Sequence, residues 1–257
     1  MNELILTLNA GSSSIKFALY EVIDDTPSVC VKGQVEGIGT APHFVAKDMQ
    51  GQVLAESYWE PVTAGPGGAA GHARAFKQIW SWLADAAGGR PILAVGHRVG
   101  HGGETYAEPV LVDAQVLQVL TGLIPLVPLH QPNNLAAIRA VAADHPDLPQ
   151  VACFDTGFHR GRAKVTEQLA LPRALLTRGV KRYGFHGLSY EYIAGRLREL
   201  APEVADGRVV VAHLGSGCSM TAMIGGRSVD TTIGSARPWA PCAPRSAGST
   251  PWSSPPG

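Results

Sequence analysis

Asn9-Ala10-Gly11-Ser12-Ser13-Ser14, with Lys16 two residues on, gathers small side chains, hydroxyls and one mobile cation at the end of an apolar run. Phosphate oxygens need that combination: backbone N–H groups that allow close approach, O–H donors and a positive charge. The spacing is not that of a P-loop, because GxxxxGK[ST] is absent and a strand pattern rather than a helix follows. A plain Gly-Ser hairpin with a surface lysine describes the same segment equally well. Gly96-His97-Arg98-Val99-Gly100-His101-Gly102-Gly103-Glu104 sets one Arg among glycines and histidines. A planar guanidinium matches the two oxygens of a carboxylate, so Arg98 is a candidate acid-binding residue, with an internal pair to Glu104 as the structural alternative. Asp155, after the apolar run 151–154, could serve a metal, a water or a transferring group, or simply cap a turn. His186, between Phe185 and Gly187, reads alone as a core histidine more often than as a catalyst. His213-Leu214-Gly215-Ser216-Gly217 ends another apolar run in a turn able to cradle phosphate, although so short a glycine pattern is unspecific.

These residues need elements to carry them. Apolar patterning predicts strands over 4–8, 14–22, 29–35 and 43–47, the first two joined by the Gly/Ser turn. A loop follows over 63–71, then a helix over 75–86 and a buried strand over 92–95 that runs into Gly96. Helices over 114–124 and 134–143 flank His130-Gln131-Pro132-Asn133-Asn134, read as a polar turn with Asn133 as N-cap. A strand over 151–154, a helix over 190–200, a strand over 209–214 and a hairpin around Gly225-Gly226 complete the pattern. This order predicts α/β layers with a cleft at the carboxyl ends of the strands. We place boundaries at 1–150, 151–234 and 235–257. The last stretch has no Asp, Glu or Lys, is heavy in Pro, Ser and Ala, and is expected to be disordered.

The 257 residues are enough to bury a substantial core, and 45% hydrophobic with 16% charged residues suits a folded chain. Lys+Arg and Asp+Glu both number 21, so no net field recruits nucleic acid or an anionic membrane, and anion binding must come from a local site. The four cysteines show no zinc-type spacing, and Cys153 and Cys218 are expected to be buried, reduced thiols. The N-terminus lacks the pattern of a signal peptide, and no run reaches the roughly 20 apolar residues of a membrane helix.

Taken in order, NAGSSSIKF (Asn9–Phe17), GHRVGHGG (Gly96–Gly103), PLHQPNN (Pro128–Asn134), FDTGFH (Phe154–His159), RYGFHGLS (Arg182–Ser189) and HLGSGCS (His213–Ser219) resemble the acetate kinase family. VDTTIG (Val229–Gly234) closes the resemblance, which lies within the acetate/sugar kinase, Hsp70 and actin-like ATPase superfamily. The resemblance implies an α/β, ribonuclease H-like/actin-like ATPase fold, a mixed β-sheet flanked by helices. It implies phosphoryl transfer from ATP to acetate, giving acetyl phosphate and ADP, with Mg²⁺ as cofactor, in a cytoplasmic homodimer. By the same resemblance Asn9 helps hold the metal. Ser12, Ser14, Lys16, His213, Leu214, Gly215, Ser216 and Gly217 line the ATP phosphates. Arg98, Leu129 and Phe185 bind the acid, and Asp155 and His186 are catalytic. In-line phosphoryl transfer depends mainly on positioning and charge neutralisation, and a carboxylate arrives already ionised, so Asp155 is read as a metal or water organiser before a general base.

Two departures from the family pattern matter. Gly100 stands where Val is usual in the acid pocket, which predicts room for propionate. Family members also continue past the VDTTIG-like segment with Met-Gly-Thr-Arg and a second domain that supplies a transition-state Arg, the adenosine pocket and a metal-binding Glu. Nothing of that kind follows here, so the second domain is expected to be largely missing and turnover low or absent. Pro238-Trp239-Ala240-Pro241 is compatible with Met-Gly-Thr in a shifted frame, although the next codon then fails to give Arg. Besides the acetate kinase reading, this leaves a propionate or butyrate kinase, and, from a different class, a non-catalytic remnant.

Overall fold

Leu4, Leu6 and Leu8 alternate with Ile5, Thr7 and Asn9, and that period of two decides which face of the first strand is buried. In the computed structural model, β1 (Glu3–Ala10) turns through residues 11–14 into β2 (Ile15–Ile23), the turn closed by the Gly11 N–H donating to the Ser14 carbonyl at 2.8 Å. Described are residues 3–62, 69–176, 180–215 and 217–233, with side chains omitted at 69, 175 and 176. The chain divides into two compact units, Met1–Gly157 and Phe158–Gly257. The first unit includes Asp155 and the strand before it, which the sequence boundary at 150/151 assigned to the second.

In the first unit β2, β3 (Thr26–Glu36), β4 (His43–Asp48) and β5 (Val53–Tyr58) form an antiparallel meander on one side of β1. On its other side β1 pairs in parallel with β6 (Ile92–Val99), and β6 in parallel with β8 (Gln150–Phe154). The short β7 (Val110–Leu111) runs antiparallel to β8 at the edge, giving the order β5-β4-β3-β2-β1-β6-β8-β7. Parallel neighbours require crossovers, and helices supply them. These are α1 (Ala69–Ala86) before β6, then α2 (Ala114–Gly122) and α3 (Gln131–Asp144) before β8. Asp113 caps α2, its carboxylate accepting from the Val116 N–H at 2.7 Å.

The core lies between one sheet face and these helices. Leu4, Leu6, Ile15 and Leu19 meet Ile79 and Leu83 of α1, all almost fully buried, and each such side chain stabilises the fold by roughly 1.5–3 kcal/mol. Trp82 packs tilted against Phe17 and Phe44 with ring centres 5.9 and 5.8 Å away. A second cluster joins Val99, Ala152 and Phe154 to Val116, Leu120, Leu135 and Ile138.

The second unit contains the short helices α4 (Lys164–Glu167) and α5 (Arg173–Leu176), then α6 (Gly187–Leu200) and α7 (Pro202–Ala205). Strands β9 (Arg208–Leu214), β10 (Cys218–Ile224) and β11 (Arg227–Thr231) form an antiparallel sheet on which α6 packs along β9.

Several sequence expectations change. Helix α1 begins at Ala69, within the stretch read as loop, whose residues 63–68 lie outside the described part. Strand β5 was not anticipated, because VLAESY alternates weakly and lies at an edge. The polar turn at 130–134 is instead the first turn of α3, where Pro132 is tolerated because the first N–H groups of a helix have no intrahelical partner. Asn133 is therefore not the N-cap. It lies inside the helix and donates from Nδ2 to the Leu129 carbonyl at 3.3 Å. Cys30, Cys153 and Cys218 form no disulfide among the described residues and are only half-buried, and Cys242 lies outside the described residues. Among the described residues no helix is long and apolar enough to cross a membrane. The segment expected to be disordered, 235–257, lies outside the described residues.

Candidate active site

The face of β1 that carries Ile5 and Thr7 also carries Asn9, opposite the core, and Asn9 pairs in register with Lys16 of β2. Thr7 lies beside Gly96 on the parallel strand β6, so Asn9 and Arg98, each two residues further, emerge on the same face. Arg98 pairs in turn with Cys153 of β8, and Asp155 follows two residues later on that face. The N–H of Asp155 extends the ladder by donating to the Val99 carbonyl at 3.0 Å. Strand alternation and parallel register thus set Asn9, Lys16, Arg98 and Asp155 in one row at the carboxyl ends of β1, β6 and β8.

Arg98 organises this row. Its Nε donates to both Asp155 oxygens, at 3.1 and 2.9 Å, its Nη2 donates to Oδ2 at 2.6 Å, and its Nη1 donates to Asn9 Oδ1 at 3.1 Å. Of the five N–H bonds of a guanidinium, three are used among the described residues, and there one on each terminal nitrogen is left for a second carboxylate. Burial opposes the charge of Arg98, the Asp155 carboxylate more than offsets it, and the guanidinium pKa is raised. The neighbouring His130 feels the same site: desolvation and the Arg98 charge push its pKa down, partly opposed by Asp155.

Supports hold the row in place. Asn134 of α3 accepts from the Gly100 N–H at 2.9 Å and donates to the Ala10 carbonyl at 2.7 Å, tying the turn after Arg98 to the end of β1. One turn earlier in the helix, Gln131 accepts from the His101 N–H at 3.2 Å and donates to its carbonyl at 3.0 Å. His72 of α1 donates from Nε2 to the Gly11 carbonyl at 2.8 Å and so braces the hairpin tip. Ser12 is exposed at that tip and Ser14 half-buried, while Lys16 is exposed and Leu129 is 61% exposed.

The second unit gathers its own group. His186 has φ +60° and precedes the first residue of α6, with Nδ1 2.8 Å from Ser219 Oγ and its ring stacked on His213 at 4.1 Å. A Cβ on Gly217 would lie 3.3 Å from His186 Cε1 and Nε2, so the ring rests against the glycine turn after β9. Gly215 and Gly217 close that turn, N–H to carbonyl, at 3.2 Å, Leu214 is 76% exposed, and Ser216 lies outside the described residues. His159 fixes the approach to His186 by donating from Nε2 to the Phe185 carbonyl at 2.9 Å, with Nδ1 2.9 Å from Ser228 Oγ. The buried Arg162 donates to the carbonyls of His159, Arg182 and Tyr183 at 3.0, 2.6 and 2.9 Å. Burial and the Arg182 charge push its pKa down.

The first unit therefore brings together Asn9, Lys16, Arg98 and Asp155, and the second brings together His186, His213 and Gly217. Arg98 takes Asp155 and Asn9 as partners, whereas the sequence had offered Glu104. Sequence reasoning missed His130, Gln131, Asn134, His159 and Ser219. Gln131 and Asn134 lie at i and i+3 beside a helix-starting proline, a spacing that would have signalled one helical face. His130, His159 and Ser219 lie within the motifs PLHQPNN, FDTGFH and HLGSGCS but were given no role of their own. Among the described residues no three His, Cys, Asp or Glu side chains cluster in a metal-binding arrangement. The nearest hard-oxygen donors are Asn9 Oδ1 and the Asp155 carboxylate, joined through Arg98.

The sequence profile of the Acetokinase family matches residues 4–239. The chain is 50% identical to an acetate kinase of Rhizobium meliloti over 90% of its own length and 57% of that protein. Its fold is similar to a propionate kinase from Francisella tularensis, with a TM-score of 0.78, 35% identity and coverage of 90% of this chain and 57% of the other. It is likewise similar to the acetate kinase of Porphyromonas gingivalis, with a TM-score of 0.75, 32% identity and the same two coverages. The chain thus spans 57% of the length of these relatives.

Proposed function

The chain belongs to the acetokinase family, and on that premise we propose that it is the ATP- and acid-handling part of an enzyme that transfers phosphoryl reversibly between ATP and acetate. The observation that carries this reading is the half-used guanidinium of Arg98, held by Asp155 and Asn9 with two N–H bonds unspent among the described residues. Those bonds suit the carboxylate of acetate, whose oxygen attacks the terminal phosphorus in line with the departing ADP. The attacking oxygen carries no proton at neutral pH, so Asp155 has none to remove. Its role is to orient Arg98 and to offer an oxygen at the reacting centre.

The other assignments are those the family resemblance implies, and charge agrees with them for the polar residues. Two anions must be brought together, and cations and N–H donors aimed at the transferring group offset their repulsion. Lys16, Ser12 and Ser14 contact nucleotide phosphates, as does the turn His213, Leu214, Gly215, Ser216 and Gly217. His186 stabilises the transferring phosphoryl, and Leu129 and Phe185 wall the acid pocket. Mg²⁺ favours oxygen ligands and is commonly held by one or two carboxylates together with substrate phosphates, a description the Asn9 and Asp155 oxygens fit. Bound there, the ion would neutralise phosphate charge. A cytoplasmic setting and a homodimer are what the family resemblance implies.

A second reading, a propionate or butyrate kinase of the same family, starts from Gly100, which should tolerate propionate better than a Val-bearing relative does. A Cβ there would find its nearest neighbours 3.6–3.8 Å away, at Asn134, His130 and Gln131, which is ordinary contact distance. Acetate-dependent release of ADP tests the main proposal. The expected result is a rate that Arg98→Ala lowers about 100-fold or more. A folded protein whose ADP release ignores acetate, and whose melting temperature ignores ATP, would overturn it.

A further inference from the structure

We propose that Ser219 and Tyr190 are positioning residues for His186, a buried hydroxyl relay that keeps the imidazole proton on Nε2. The proposal rests on the reading of His186 as the group that stabilises the transferring phosphoryl. Tyr190 Oη lies 2.5 Å from Ser219 Oγ, which lies 2.8 Å from His186 Nδ1. Tyr190 is fully buried and Ser219 nearly so, so neither hydroxyl turns to bulk water. Each hydroxyl has one proton to give. If Nδ1 carried the imidazole proton, it would donate to Ser219, and Ser219 would donate to Tyr190. The Tyr190 proton would then have no acceptor among the described residues, and a buried unpaired donor carries its full desolvation cost. In the opposite sense Tyr190 donates to Ser219, Ser219 donates to Nδ1, and both hydroxyl protons are placed. The imidazole proton is left on Nε2.

That nitrogen lies on the ring edge against Gly217, beside the turn that ends β9. An N–H there donates to an anionic oxygen, whereas the other tautomer would present a lone pair and repel it. The stack on His213 and the left-handed backbone at His186 hold the ring while the relay sets its proton. Tyr190 reaches Ser219 because it lies one helical turn beyond His186, and Ser219 because it is the second residue of β10.

Long-range proton–nitrogen NMR on the full chain labelled with ¹⁵N-histidine, with His186→Gln for assignment, reads the tautomer directly. The expected wild-type pattern has Nδ1 unprotonated and Nε2 protonated. Ser219→Ala is expected to move both nitrogens toward tautomer-averaged shifts and to lower kcat for acetate-dependent ADP release at least tenfold, with the KM for ATP little changed. Ser219→Thr, which keeps the hydroxyl, restores both. A wild-type His186 with Nδ1 protonated overturns the relay and needs no variant to be seen. Unchanged shifts in folded Ser219→Ala overturn it as well. If the shifts behave as expected but His186→Gln turns over like the wild type, the phosphoryl role of His186 fails instead, and the positioning role with it. The tautomer pattern decides the relay whether turnover is fast or slow.

Discussion

Arg98 Nη2 lies 2.6 Å from Asp155 Oδ2, and the two side chains differ in access to water: that of Asp155 is 4% exposed and that of Arg98 40%. A buried acid is held by a cation that still reaches solvent. Removing the acid therefore strands a charge that water can partly recover, and the cost is lower than for a fully buried pair. Asp155→Ala is expected to destabilise the protein by about 2 kcal/mol, read from the urea midpoint. An unchanged midpoint would show that the ion pair contributes nothing to the fold.

Arg98→Lys separates charge from shape. An ammonium keeps the positive charge but loses the planar fork, the bond to Asn9 and the paired N–H edge. The KM for acetate should rise about tenfold or more while the nucleotide-induced melting shift persists. Equal acetate KM values in the two proteins would defeat the carboxylate assignment.

His97 gives the fold a pH dependence. It is buried, lies 2.8 Å through Nε2 from Gln150 Oε1, and burial holds its pKa down to about 4 although Gln150 acts to raise it. The unfolded chain, with an ordinary histidine pKa of about 6.5, binds more protons than the fold between those values. Stability is therefore full above pH 6.5 and is lost as pH falls toward 4, by at most about 3 kcal/mol. Urea unfolding from pH 7 to 4.5 should show this slope, and His97→Gln should flatten it. A slope unchanged in the variant would assign it to other groups.

Gly184 has φ +87°, and a Cβ there would lie 2.6 Å from the His159 ring. Gly184→Ala should cost about 2 kcal/mol or more from strain and overlap together. Because the overlap needs the ring, combining it with His159→Ala should cost less than the sum of the single changes. Strict additivity in chemical denaturation would rule out the contact.

For Gly100→Val the readout is the ratio of specificity constants for acetate and propionate. A shift toward acetate of about tenfold is expected if the added carbons occupy space beside the substrate methyl. A ratio that stays the same removes Gly100 from the acid pocket.

Much of the fold could be read from local pattern. The short apolar runs at 4–8 and 209–214, each stopped by a Gly/Ser turn, name their strands. The weakly patterned edge strand β5 and the helical start at Gln131 escaped, since an edge tolerates polar residues and a proline in a first turn looks locally like a break.

The sequence by itself determined which residue types could meet an anion and, through its ordered motifs, the family to which the chain belongs. Only the tertiary structure decided their partners. Arg98 and Asp155 lie 57 positions apart and meet because β6 and β8 pair in parallel at one register. His186 and Ser219, 33 apart, meet because α6 packs along the sheet that contains β10. Strand register and helix packing are set by burial summed over whole elements, so no short window of sequence contains them.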